Sequence, residues 1–162
     1  VIEFKKWPKT PRWYDEEWSI TEKIDGSNAC VVIDEFGAIG AQSRNNLITP
    51  DKDNLGFAQW VQDNKVQLLQ LGPGHHYGEW WGKGIQRTYG LDERRFSLFR
   101  HKGVIPDCCY RVPSFEASSV AEAYEDLVNN GSKAVPGWMK PEGVVMRSKF
   151  YSKMFYKILI DK

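Results

Sequence analysis

Glu22-Lys23-Ile24-Asp25-Gly26-Ser27-Asn28 sets a lysine ahead of an acid, a glycine and an amide, at the entrance to the apolar run Ala29 to Ile33. A lysine nucleophile needs a neutral amine, and an ordinary pKa of about 10.4 makes that form rare at pH 7 unless burial or neighbouring cations lower it. Gly26 lets the backbone come close to a ligand, and Asn28 brings two donors and an acceptor. The plain alternative is a turn with a partly exposed lysine. Matching pieces elsewhere in the chain decide between the two.

Outward from this stretch, the β-prone run Asn28 to Ile33 ends at Asp34, Glu35 and Gly37, and Ala38 to Ser43 reads as the returning strand of a hairpin. Leu55, Ala58, Val61, Leu68 and Leu69 fit a helical face in two pieces that stops at Gly72-Pro73-Gly74. Ser119 and Glu122 form a capping box, followed by an apolar stripe at Val120, Tyr124, Leu127 and Val128 and a stop at Asn129-Asn130-Gly131. The segments around Tyr77 to Trp81, Phe96 to Arg100, Gly143 to Ser148 and Met154 to Ile160 are short and rich in aromatic and β-branched residues, so they read as strands. The class is α+β with mostly antiparallel pairing. Pro8 and Pro11 make Phe4 to Pro11 an extended arm.

The chain has 162 residues, 41% hydrophobic and 27% charged, with 22 Lys plus Arg against 21 Asp plus Glu. That length supports one core and one domain over 1–162. No run is long and apolar enough for a membrane span or a secretory signal, which predicts a soluble, cytoplasmic protein with no membrane partner. Cys30, Cys108 and Cys109 form no CxxC pair, so reduced thiols are expected rather than disulfides or zinc ligands. His75, His76 and His101 have no ligand spacing either.

Lys23 to Asn28 resembles the KxDG(N/R) nucleophile motif of the covalent nucleotidyltransferases, the superfamily of DNA and RNA ligases and mRNA capping enzymes. Asn28 and the leading Thr21-Glu22 look more like the RNA ligase branch that contains T4 RNA ligase 2 and the RNA-editing ligases. Ser43-Arg44-Asn45 is similar to the next motif, Gly78-Glu79-Trp80-Trp81-Gly82 to the third, Pro141-Glu142-Gly143-Val144-Val145 to the fourth and Tyr156-Lys157-Ile158-Leu159 to the fifth. Phe99 falls where the family places an aromatic under the base. The pieces follow the family order and cover nearly the whole chain.

The resemblance implies an antiparallel-sheet-rich, ATP-grasp-like nucleotidyltransferase domain with a few helices. It implies that Lys23 attacks the α-phosphorus of ATP, that AMP passes to a 5'-phosphate, and that a 3'-hydroxyl displaces AMP, with RNA as the expected partner of a monomeric enzyme. Lys157 would contact the α-phosphate, Arg44 and Glu79 the ribose hydroxyls, Phe99 the adenine face, and backbone groups at Glu22 and Ile24 the adenine edge. Asn28 is assigned to the nucleotide site. Glu142, with Asp25 as a second candidate, would hold Mg²⁺ or Mn²⁺, since hard cations take carboxylate oxygens.

Two features depart from the pattern. The fifth motif has one lysine where the family commonly has two, since Phe155 and Leu159 flank Lys157 at that spacing; either Lys153, Lys162 or Arg147 substitutes or the second role is lost. No accessory domain is expected after the fifth motif within this sequence. A surface for nucleic acid is expected from Lys83, Arg87, Arg94, Arg95, Arg100 and Lys102 interleaved with Trp80, Trp81 and Tyr89, cations pairing with phosphates while rings stack on bases. DNA nick sealing, GTP-dependent capping, and a binding module that lost catalysis are the alternatives. The net charge of +1 hides a segregation: residues 140–162 carry six cations against two acids, a net of +4, which leaves −3 on residues 1–139. The basic end coincides with the motifs expected to face a triphosphate.

Overall fold

Alternation along β2 (Ser27–Ile33) organises the larger of two sheets: Ala29, Val31 and Ile33 face one way into a core, while Asn28, Cys30 and Val32 face the other. The computed structural model describes residues 2–6, 8, 18–117, 119–149 and 155–160. Beyond β2 come β3 (Ile39–Gln42), β4 (Leu47–Ile48), β5 (Gly74–Gly82), β6 (Arg94–Leu98) and β7 (Tyr110–Arg111), giving a six-stranded sheet of order β4-β3-β2-β5-β6-β7. A second sheet, of order β1-β8-β9, consists of β1 (Trp18–Lys23), β8 (Gly143–Ser148) and β9 (Phe155–Leu159). Every named pairing is antiparallel except β6 with β7. The α+β class and the hairpin at Ser27 to Gln42 are as the sequence indicates.

The helices are α1 (Phe57–Asp63), α2 (Lys65–Leu68), which runs into a 3-10 turn at Leu69–Leu71, and α3 (Val120–Asn130). Gly56 gives α1 no side-chain cap; Asp53 serves instead, its carboxylate accepting from the Ala58 and Gln59 amides at 2.8 and 3.0 Å. α3 starts as its capping box predicts, with Ser119 Oγ accepting from Glu122 N at 3.1 Å, and it ends at Gly131.

Where one core was expected, the buried side chains among the described residues form three clusters. The first packs α1 and α2 on the six-stranded sheet through Val31, Phe57, Val61, Leu68, Trp80, Phe96 and Leu98. Within it Phe57, Trp60, Trp80 and Phe96 form a nest of rings with centroids 5.1 to 5.8 Å apart, each such pair adding about 0.5–1.5 kcal/mol beyond its buried area. The second packs α3 on the three-stranded sheet through Ile20, Phe115, Ala123, Leu127 and Val144. The third, Ile24, Trp81, Tyr89 and Val112, lies at the seam. Two sheets that each need their own cover divide the interior in this way.

β1 belongs to the small sheet and β2 to the large one, so Ile24, Asp25 and Gly26 are the link that crosses between sheets. Residues 2–6 and 8 of the N-terminal arm have no regular structure and are exposed; the rest of Phe4 to Pro11 lies outside the described residues. None of the described helices is long and apolar enough to cross a membrane.

Candidate active site

Lys23 is the last residue of β1, and its register partner on β8 is Gly143. That pairing brings Glu142, one residue before β8, beside the lysine: Lys23 Nζ donates to Glu142 Oε2 at 2.8 Å, and both side chains remain partly exposed. Lys157 on β9 pairs with Val145, two residues along β8 from Gly143, so it shares the face of the small sheet that carries Lys23. The opposite face of that sheet is packed by α3, and Lys157 is exposed.

The large sheet contributes Glu79. On β5 the residues Gly78 and Trp80 face the first core, so Glu79 and Trp81 face the seam; Glu79 pairs with Asn28 on one side and Ser97 on the other. Glu79 is only 8% exposed. Burial pushes its carboxyl up to about 7, against the pull of the Lys23 charge and the Gly26 amide, while Glu142 and Asp25 push it further up. These four charged groups therefore form one electrostatic cluster, drawn from both sheets. Gly26 sits at its base: a Cβ there would meet Trp80 O at 2.5 Å and Trp81 Cβ at 2.7 Å, so any larger residue forces the crossing link or β5 to shift.

Phe99 follows β6, and its N–H donates to Tyr77 O at 2.9 Å, which continues the β5–β6 register by one residue beyond Gly78 and Leu98. Phe99 is 38% exposed and Tyr77 more so, leaving ring faces open to a planar ligand. Arg44 lies exposed in the turn after β3 and forms no ion pair among the described residues, so it is not brought onto Glu79. Asn28 is exposed directly across from Glu79.

Glu22 and Asp25 have partners that the sequence does not reveal. The Glu22 side chain is 1% exposed and accepts from Ser132 Oγ at 2.8 Å and from Lys133 N at 2.6 Å. Burial pushes its carboxyl up, and these donors pull it back. Its backbone N–H is taken by Pro113 O at 3.0 Å, and Ile24 is buried in the seam cluster. Asp25 turns to Arg87, whose Nε donates to Oδ2 at 3.0 Å. Nothing in residue spacing signals Ser132, Arg87 or Tyr89 as partners, because each arrives on a loop. The substitutes Lys153 and Lys162 for a second fifth-motif lysine lie outside the described residues, and Arg147 is on β8.

The expected nucleic-acid surface is corrected. Trp80, Trp81 and Tyr89 are 3%, 1% and 1% exposed and cannot stack on bases. Adjacent strand residues face opposite sides, and here both sides are covered, by α1 over Trp80 and by the seam over Trp81. Arg94 bonds the carbonyls of Leu55 and Lys83, and Arg95 pairs with Glu93 and lies over the Tyr110 ring at 4.6 Å.

Among the described residues no three His, Cys, Asp or Glu side chains converge as a metal cage. The carboxylates at the seam suit a hard divalent ion that keeps most of its waters and takes one or two protein oxygens. All three thiols are free. Two surface depressions of about 510 and 520 Å³ open elsewhere, beside α1 and α3, and neither is lined by Lys23, Glu79 or Glu142.

Two antiparallel-rich sheets with a strand-end lysine at their seam define the nucleotidyltransferase fold that the motifs imply. The chain belongs to the RNA ligase family, whose family model matches residues 16–158. It is similar in structure to a Naegleria gruberi RNA ligase, seen as a Lys-to-Ala mutant with ATP and Mn, at 21% identity and a TM-score of 0.61 over 89% of this chain and 49% of that one. A Glu-to-Ala mutant of that ligase with AMP and Mn matches at 22% identity and a TM-score of 0.60, with the same coverage of both chains. The form with PPi matches at 22% and 0.58. This chain thus spans about half the length of these relatives. No curated protein matches it in sequence.

Proposed function

We propose that this chain is the nucleotidyltransferase domain of an ATP-dependent RNA ligase and that Lys23 is its nucleophile. The observation that carries the reading is the Lys23–Glu142 contact at 2.8 Å, with the buried Glu79 facing it from the other sheet, in a chain of the RNA ligase family. The Naegleria gruberi ligases that share the fold bind ATP or AMP with Mn.

In the first step the Lys23 nitrogen forms a bond to the α-phosphorus of ATP, the bond from that phosphorus to the bridging oxygen breaks, and pyrophosphate leaves. Glu142 orients the amine and is the nearest acceptor for the proton that the amine must lose. Lys157, on the same sheet face, offers positive charge to the α-phosphate oxygens. Glu79 and Asn28, opposite each other, accept from and donate to the ribose hydroxyls, Arg44 is assigned to the same hydroxyls by its motif although its turn does not bring it onto Glu79, and Phe99 stacks on adenine. Backbone groups of Glu22 and Ile24 border the adenine edge.

In the second step an oxygen of an RNA 5'-phosphate attacks the adenylyl phosphorus and the nitrogen–phosphorus bond breaks, returning Lys23. In the third a 3'-hydroxyl attacks the activated 5'-phosphorus and AMP leaves. Glu142 and Asp25 are the residues that would hold Mg²⁺ or Mn²⁺, which supplies charge neutralisation at the phosphoryl oxygens. The protein acts as a monomer on ends that carry a 5'-phosphate and a 3'-hydroxyl.

The test is incubation with α-labelled ATP or GTP and Mg²⁺ or Mn²⁺, followed by denaturing gel and mass analysis. The expected result is one AMP per chain, on Lys23, absent from Lys23→Ala and abolished in Glu142→Ala. Labelling of Lys23→Ala at the parent level, or no adduct with either nucleotide, overturns the reading. An adduct with GTP alone assigns capping chemistry, and nicked DNA sealed in preference to nicked RNA assigns the other ligase class.

A further inference from the structure

We propose that Arg87 and Tyr89, on the loop between β5 and β6, are positioning residues that fasten the Lys23 segment to the segment carrying Glu142. The inference rests on Lys23 being the nucleophile and concerns how its geometry is held. Arg87 reaches in two directions. Its Nε donates to Asp25 Oδ2 at 3.0 Å, and its NH1 donates to the Lys140 carbonyl at 3.1 Å, two residues before Glu142. Tyr89 completes the hold on Asp25, its hydroxyl accepting from the Asp25 N–H at 2.8 Å. Trp138 Nε1 donates to the same Lys140 carbonyl at 3.2 Å. One loop therefore grips Asp25 by backbone and carboxylate, and joins it to the chain that presents Glu142.

The backbone of the loop bears this out. Gln86, Thr88 and Tyr89 have φ of 46°, 60° and 54°, the left-handed region that costs free energy for residues with a Cβ. Such conformations persist where surrounding contacts over-determine them. Tyr89 supplies those contacts: it is buried, with its ring centroid 4.9 Å from Trp81 and 5.8 Å from Trp138. A loop that only joined β5 to β6 needs neither the buried phenol nor a guanidinium spanning two motifs.

The choice of arginine follows. A guanidinium presents donors in a rigid fork and serves Asp25 and Lys140 together, whereas a lysine ammonium at the same place serves one well. Without Arg87, Asp25 is an uncompensated anion in a cluster that already contains Glu79 and Glu142, and the turn before Glu142 loses its tie to the Lys23 segment. Small displacements of a nucleophile from its in-line position are costly in rate, on the order of 100-fold for 1 Å.

The test compares Arg87→Ala, Arg87→Lys and Tyr89→Phe with the parent chain in two measurements. The first is backbone hydrogen exchange in the nucleotide-free protein. In Arg87→Ala, peptides covering residues 22–26 and 139–144 are expected to exchange about tenfold faster, while those in β2 and α3 are unchanged. The second is single-turnover AMP transfer to Lys23. Its rate at saturating ATP is expected to fall about 10- to 100-fold in Arg87→Ala, with half-saturating ATP within about threefold of the parent. Millimolar guanidinium ion should restore part of that rate and leave the parent unaffected. Arg87→Lys and Tyr89→Phe should fall between Ala and parent. Parent-like exchange at both segments overturns the proposal, as does a parent-like rate, or a lost rate that guanidinium does not restore. If the parent forms no adduct, the Lys23 reading fails, and the exchange measurement alone still decides whether Arg87 fastens the two segments.

Discussion

Glu79→Gln is expected to make the nucleotide-free protein more stable at neutral pH while removing its activity. In the unfolded chain the carboxyl titrates near 4.5, and in the folded protein near 7, chiefly because burial disfavours the charged form. The folded state therefore holds a proton that the unfolded state releases, and stability falls as pH rises from about 4.5 to about 7, then levels off. A gap of about 2.5 units at about 1.36 kcal/mol per unit corresponds to about 3 kcal/mol. That is a substantial part of the 5–15 kcal/mol that holds an ordinary domain together. Glutamine keeps the shape and an acceptor for the Gly26 amide and has no charge to bury. The assay is denaturant unfolding of parent and variant at pH 5 and pH 8. The stability difference between them should move in favour of the variant by up to about 3 kcal/mol over that interval, and the other titrating groups, Glu22 included, cancel. A difference that stays constant within about 0.5 kcal/mol refutes the burial argument. Under the same conditions the variant should give little or no lysine labelling, because the carboxylate proposed to receive the ribose is gone.

Phe99→Ala should weaken ATP binding by about 5- to 150-fold, the range for loss of one stacked base, with the rate at saturation largely kept; unchanged half-saturation in the labelling assay refutes the stacking role. Ser132→Ala should destabilise by about 1.5–3 kcal/mol under conditions where the buried Glu22 carboxylate is charged, because it loses a donor. Burial raises the Glu22 carboxyl and the Ser132 donor pulls it back, so the loss should shrink as pH falls, and a loss that is the same at every pH would show that the bond is not to a charged group. Gly26→Ala should cost about 1–3 kcal/mol by overpacking against Trp80 O and Trp81 Cβ; thermal unfolding within a degree of the parent would show that the crossing link can shift.

Residues that the contiguous motifs single out are legible from the sequence, and the structure brings several of them together; the partners that hold them are not legible. Lys23 and Glu142 lie 119 positions apart and meet through β1–β8 pairing, of which only β8 shows its strand character in sequence. Arg87 with Asp25 and Ser132 with Glu22 lie 62 and 110 positions apart and meet through loops, whose paths no periodicity encodes. β1 itself escapes a pattern reading because its inward positions include Glu22, and a carboxylate alternating with Ile20 reads as a solvent-facing residue. β4 and β7 are two residues each and leave no alternation to find. Trp80 and Trp81 look like an exposed aromatic pair until both faces of β5 are seen to be covered. α3, by contrast, announces itself through local chemistry alone, its cap, stripe and terminal glycine all falling within thirteen consecutive residues, Ser119 to Gly131.

On the proposed mechanism, the crossing link at Ile24 to Gly26 divides the labour of the site between the two sheets. Lys23, Glu142 and Lys157 travel with the small sheet, whereas Glu79, Asn28 and Phe99 travel with the large one. A nucleotide that touches both acts as mortar in that joint, and an adenylate attached to Lys23 turns three residues of peptide into a second, chemical fastening between the sheets. Loading the lysine should then tie the two sides of the seam together beyond the three-residue link, and discharging it should release that tie.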